Sequence, residues 1–145
     1  MDNNVYLEIT MEKQEIEIKF AENEDYLWLK EHDRHMTVQK IENEEVYVIK
    51  KNGEIIGWLR FNLFWDCVPF MNLIELKEEY RNKGIGTMLV KHWEEKMKEK
   101  GYNDVLTSTQ SDEDAQHFYR KIGYSEIGGF KFRKDPYEII FHKGI

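Results

Sequence analysis

"EEYRNKGIGTMLVKHWEE", residues 78–95, opens with charge, passes two glycines and runs on as an amphipathic stretch. Glycine inside a helix costs about 1 kcal/mol relative to alanine, so a glycine pair at a helix mouth asks for a reason. Either the chain turns sharply there, or something approaches the backbone closely. The flanks decide the local fold. "FMNLIELK" (70–77), entered through Pro69, reads as a strand. Downstream, Ile85, Met88, Leu89, Trp93 and Met97 fall at helical spacing, with Lys91, Glu94, Glu95 and Lys98 assigned to the opposite face.

Strand, Arg81-Asn82-Lys83-Gly84-Ile85-Gly86, helix is an arrangement with a physical use. The first turn of a helix has backbone N–H groups without intrahelical partners, and the helix dipole favours negative charge there. Glycines leave room for an anion against the main chain, and Arg81 and Lys83 add positive charge. A diphosphate suits such a place. The dinucleotide fingerprint is excluded, because Leu89 stands where its third glycine belongs. A P-loop is excluded because no Gly-Lys-Ser/Thr follows. Taken alone, the motif also fits a tight turn carrying surface cations.

Working outward, "EIEIKF" (15–20) alternates as a strand and "ENEDYLWLKEHDRH" (22–35) reads as a helix, acids first and bases later. Tyr26, Leu27, Leu29 and Trp28 are assigned to its buried side. "EVYVIKKNGEIIGWLRFNLFW" (45–65) reads as a hairpin around Asn52-Gly53. Gly101 stops the long helix, and "DVLTSTQ" (104–110) is a further strand. "SDEDAQHFYRKIG" (111–123) is a second helix, with Ser111 as N-cap, an apolar stripe of Ala115, Phe118, Tyr119 and Ile122, and Gly123 closing it. "YSEIGGFKF" and "YEIIFHK" read as a final strand pair. No repeat or linker interrupts the chain, which predicts one α/β domain over 15–145 preceded by an arm or extra strand over 1–14.

The bulk properties agree with that class. A chain of 145 residues, 41% hydrophobic, carries enough apolar surface for a core. A formal charge of -7 argues against a nucleic-acid partner. The single cysteine, Cys67, makes no internal disulfide and is expected to pack. No run of about 20 apolar residues and no basic-then-apolar leader is evident, so the expectation is a cytoplasmic protein without membrane partners. His32 and His35 share metal-binding spacing, but no third ligand accompanies them, and no metal site is predicted.

Residues 54–124 resemble the GNAT family of acyl-CoA-dependent N-acetyltransferases. The family's central pattern, an apolar strand, Q/R-x-x-G-x-G/A and an amphipathic helix, is matched by "NLIEL", "RNKGIG" and "TMLVKHWEEKM". Its second motif, an alanine-containing helix ending in FY-x-K-x-GF, is matched by "AQHFYRKIGY", with Tyr124 for the last Phe. The resemblance implies the GNAT fold, a single mixed sheet of about six to seven strands flanked by helices. It implies acetyl-CoA as cosubstrate, with Arg81, Asn82, Lys83, Gly84, Ile85, Gly86 and Thr87 at the pyrophosphate. Ile74, Glu75 and Leu76 would run beside pantetheine, and Asp112 replaces an Asn that contacts pantetheine in many members, on the helix that carries Ala115.

Acetyl transfer to nitrogen needs a neutral amine and a stabilised leaving thiol. An amine of pKa ~10.4 is neutral in roughly one molecule in 2,500 at pH 7, so a base is useful. A tyrosine of pKa ~10 is suited to donate toward a developing thiolate. Periodicity alone leaves Tyr119 as a packing residue; the resemblance makes it the acid. Glu75 is the first candidate base, with Asn72 as a water holder and Asp66 as a further carboxylate, while Thr107 stands where some relatives carry an acid. Trp58, Phe61, Phe64, Trp65 and Phe70, with Asp66, are candidates for an acceptor pocket that would take a primary amine of a small molecule or peptide. A non-catalytic CoA or acyl-CoA sensor of the same fold is the alternative function. A homodimer is left open.

Overall fold

Asn52 and Gly53 both adopt left-handed backbone, φ 52° and 80°. That is the turn which lets two strands keep their native twist across a two-residue loop. It joins β2 (Val46–Lys51) to β3 (Glu54–Phe64). The computed structural model describes residues 15–145; the arm or extra strand expected over 1–14 lies outside the described residues. The other strands are β1 (Ile16–Phe20), β4 (Val68–Leu76), β5 (Asp104–Gln110), β6 (Ser125–Phe130) and β7 (Glu138–Gly144). They form a seven-stranded sheet in the order β1-β2-β3-β4-β5-β7-β6. β4 and β5 are parallel and the β1–β2, β5–β7 and β6–β7 pairs antiparallel. Among the described residues four helices accompany the sheet: α1 (Tyr26–His32), α2 (Val38–Glu42), α3 (Ile85–Glu99) and α4 (Ala115–Lys121). The sheet is mixed, as the sequence resemblance implied.

The described chain clusters into two compact units. One comprises residues up to Leu59 with Ile74–Leu89, the other Arg60–Leu73 with Val90–Ile145. In the first, β2 is buried from Val46 through Lys50 and β3 from Ile55 through Leu59, near-continuous runs that read as strands covered on both faces. The buried Lys50 ammonium lies 2.9 Å from the buried Asp25 carboxylate, so neither charge is left alone. Asp25 also accepts from the Glu22 N–H at 2.9 Å, closing a capping box. The helix expected over 22–35 is consequently shorter. It begins as a single 3-10 turn, and Asp33 leaves helical geometry at φ -138°.

Within α1 only Leu29 is fully buried, and Leu27 is 68% exposed, against the expectation. Residues two apart on a helix lie on nearly opposite faces, so Leu27 and Leu29 cannot share the core side.

In the second unit Val90, Trp93 and Met97 of α3 are buried with Val105, Phe141 and Tyr124. Glu94, assigned to solvent by pattern, is buried as well. Its carboxylate accepts from the Tyr124 hydroxyl at 2.8 Å and from Lys143 Nζ at 2.9 Å. Lys143 also donates to the Ile122 carbonyl at 3.0 Å, at the end of α4. The tyrosine in place of the family's phenylalanine therefore has a partner. Burial and the Glu94 charge push the Tyr124 phenol well above its ordinary range. Replacing Tyr124 by Phe is expected to cost about 1–3 kcal/mol, since a buried carboxylate loses a donor. A shift in the urea midpoint at unchanged m-value measures it.

Ser111 is not the N-cap of α4, which starts four residues later. The Ser111 N–H is committed to the Tyr137 carbonyl at 2.7 Å, and a turn closed by Glu113 N–H to Gln110 O occupies the intervening residues. Cys67 is exposed rather than packed. Its N–H bonds to Phe64 O across a turn whose central residues, Trp65 and Asp66, are both left-handed (φ 54° and 61°).

Candidate active site

Gly84 has φ 81° and Asn82 φ 59°; the loop from β4 to α3 thus takes two left-handed residues, and glycine holds the last one without strain. The Gly84 carbonyl accepts from Met88 N–H at 3.1 Å, so Gly84 caps α3. The N–H groups of Ile85, Gly86 and Thr87 then belong to the first turn, where no intrahelical acceptor exists. A Cβ built on Gly84 meets no atom within 4 Å, so the backbone there faces open space. Ile85 is buried and anchors the helix start, while Asn82 and Lys83 are exposed.

Charge collects at this loop. The Lys83 and Lys51 ammonium groups each lie 5.9 Å from the Tyr80 ring centroid, close enough for a cation–π interaction. Neither Tyr80 nor Lys51 was singled out by the sequence, because Lys51 comes from the end of β2. Arg81 is turned back onto β4. Its Nε donates to Leu76 O at 3.1 Å and its Nη2 to Glu75 Oε1 at 2.7 Å. Glu75, the candidate base, is thus half-exposed and ion-paired to Arg81. Ile74 and Leu76 flank it at intermediate burial. Gly57 on β3 makes room for this strand: a Cβ there would collide with the Leu76 side chain and come within 2.8 Å of Glu75 O.

In the second unit, the ladder between β4 and β5 is two residue pairs long, Phe70–Leu106 and Met71–Thr107, while β4 itself continues to Leu76. Tyr119 is brought to this ladder end. Its hydroxyl lies beside the Thr107 side chain, and Thr107 Oγ1 donates to Met71 O at 2.9 Å. The ring packs between Phe118, Tyr124 and Phe141, with centroids 5.6–5.9 Å away. Burial raises the phenol above its ordinary value, and the polar Thr107 side chain beside it offsets part of that. Tyr119 therefore keeps its proton throughout neutral pH. Asp112 is exposed and Ala115 half-buried at the start of α4.

The proposed aromatic pocket is not assembled as expected. Trp58 is buried, its N–H given to Asp33 at 3.2 Å and its ring edge-on to Trp28. Phe61 packs on Trp93. Three positions apart on one strand, Trp58 and Phe61 face opposite sides of the sheet. Phe64, Trp65 and Phe70 do cluster, at 4.7 and 6.0 Å between ring centroids, beside the exposed Asp66. Asn72 donates to Asn62 at 2.7 Å. His32 stacks on Trp28 and donates through Nδ1 to its carbonyl, and no group of three or more metal-ligating side chains occurs among the described residues. No helix among the described residues is long and apolar enough to cross a membrane.

Comparison with known proteins gives these features a common context. The profile of the Acetyltransferase (GNAT) family matches residues 8–124. An uncharacterized N-acetyltransferase of Chlorobaculum tepidum is 30% identical over 83 residues, covering 57% of this chain and 51% of its own. The chain thus spans about half the length of the curated relatives it matches. Among solved structures, Ard1 from Thermoplasma volcanium superposes with a TM-score of 0.75 at 14% identity, over 90% of this chain and 98% of that one. A GNAT family acetyltransferase from Elizabethkingia anophelis, with acetyl-CoA bound, gives 0.70 at 22% identity over 90% and 99%. The glycine loop and the β4–α3 frame lie inside the matched profile, and on that match the chain belongs to the acetyltransferase (GNAT) family.

Proposed function

We propose that this protein is an acetyl-CoA-dependent N-acetyltransferase that passes an acetyl group directly to a primary amine of a small molecule or peptide. The observation that carries the reading is the Gly84-capped start of α3, open at the backbone and flanked by Lys51, Arg81 and Lys83. The N–H groups of Ile85, Gly86 and Thr87 would hold the diphosphate, with Asn82 and Gly84 shaping the loop around it. The backbone of β4 from Ile74 to Leu76 would run beside pantetheine, as a strand pairs with a neighbour, and Asp112 and Ala115 would border it. The acetyl-CoA bound in the Elizabethkingia neighbour is in keeping with this donor.

The donor, when bound, supplies an activated acetyl group and a thiol leaving group. Tyr119 donates a hydrogen bond to the sulfur as negative charge develops there. With its pKa raised above ~10 and a thiol near ~8.5, full proton transfer is uphill, so the donated hydrogen bond is the larger contribution. Glu75 takes the acceptor's proton through water. The protein works in the cytoplasm, on an amine whose apolar body meets the Phe64, Trp65 and Phe70 cluster.

A thiol-release assay with acetyl-CoA and a panel of aryl-alkyl amines, polyamines and short peptides tests the reading. Amine-dependent release is expected. CoA binding without release for any amine makes the protein a sensor of acyl-CoA instead, and equal thermal protection by ATP and CoA sinks the donor assignment.

A further inference from the structure

Arg81 carries the first residue of the glycine loop, yet its guanidinium points at a carboxylate of its own chain. Nη2 donates to Glu75 at 2.7 Å and Nε to the Leu76 carbonyl at 3.1 Å. Both side chains are solvent-exposed, 51% for Arg81 and 41% for Glu75, and pairs of that kind are weak and exchangeable. The guanidinium fork has further N–H donors beyond these two. Lys51 and Lys83, in contrast, lean on the Tyr80 ring.

We propose that Glu75 is an internal anion that competes with the donor's diphosphate for Arg81, and so lowers affinity for polyanionic thioesters while leaving that for neutral ones unchanged. The inference rests on the donor reading above. In the free chain, Glu75 and Leu76 O satisfy Arg81. A diphosphate at the start of α3 carries more charge than one carboxylate and more acceptor oxygens, so it draws the guanidinium away. That exchange releases the Leu76 carbonyl and the Glu75 carboxylate together. A ligand lacking phosphate cannot make the exchange, and leaves Arg81 where it is.

The consequence is opposite in sign to the usual loss on mutating a site residue. Glu75→Gln keeps the side-chain shape and an acceptor oxygen but removes the competing charge. Calorimetric titration with CoA is expected to show binding tightened roughly two- to fivefold, the range an exposed ion pair allows. The gain is expected to vanish when Arg81→Ala is already present, and pantetheine affinity is expected to be the same for both forms. Unchanged or weaker CoA binding in folded Glu75→Gln overturns the proposal. So does an equal gain in the Arg81→Ala background, which marks a general charge effect. Wild-type protein that binds no CoA at all overturns the donor reading, and this inference falls with it.

Discussion

Tyr119→Phe is expected to lower kcat by roughly 10²-fold or more while leaving CoA affinity nearly intact. The substitution removes one oxygen. The ring keeps its contacts with Phe118, Tyr124 and Phe141, so the fold has little reason to change. In the proposed mechanism what is lost is the donor at the leaving sulfur, an interaction that strengthens only as charge develops, and such losses appear in kcat rather than in ground-state binding. The Thr107 hydroxyl keeps its own hydrogen bond to Met71 O. Because burial holds the phenol above its ordinary pKa, the wild-type rate should show no loss of the acid below pH ~10. Single-turnover rates from pre-bound acetyl-CoA separate chemistry from product release. An unchanged single-turnover rate in the Phe variant returns Tyr119 to a packing role.

Gly86→Val is expected to abolish measurable CoA binding in a protein that still folds. Gly86 is the second residue of α3 and is not among the glycines with left-handed backbone. Valine is no worse than glycine by helix propensity. The isopropyl group instead fills the space over the first-turn N–H groups, where the diphosphate would lie. Gly86→Ala is the control, because the family pattern admits alanine there. Gly84→Val is a poorer test: at φ 81° any side chain is strained by about 1–2 kcal/mol whatever the ligand does. The readout is the rise of Tm with added CoA, which reports binding to the native state alone. A folded Gly86→Val protein whose Tm rises with CoA like the wild type removes the diphosphate from this loop.

The features legible in the sequence are those whose cause is local. Asn52-Gly53 specifies its own turn. The spacing of Ile85, Leu89, Trp93 and Met97 specifies a helix, and RNKGIG places its open end after a strand. Each depends on residues a few positions apart, so a one-dimensional pattern records it. The family resemblance rests on the same contiguous stretches, as does the choice of Tyr119.

What the sequence left undecided, only the tertiary structure supplies. Glu94 looks like a surface acid until Tyr124 and Lys143, 30 and 49 residues away, bring it two donors. Burial of a charge is decided by whether partners arrive from elsewhere in the fold, and periodicity carries no record of them. The same holds for Lys51 beside Tyr80, for the Thr107 hydroxyl against Tyr119, and for β7 inserting between β5 and β6. Arg81 is the sharpest case. Its sequence neighbours suggest a cation waiting for phosphate, and the fold has already given it a carboxylate on the preceding strand. A residue's type and spacing determine what it can bind; the strands and helices that surround it determine which groups are close enough to compete.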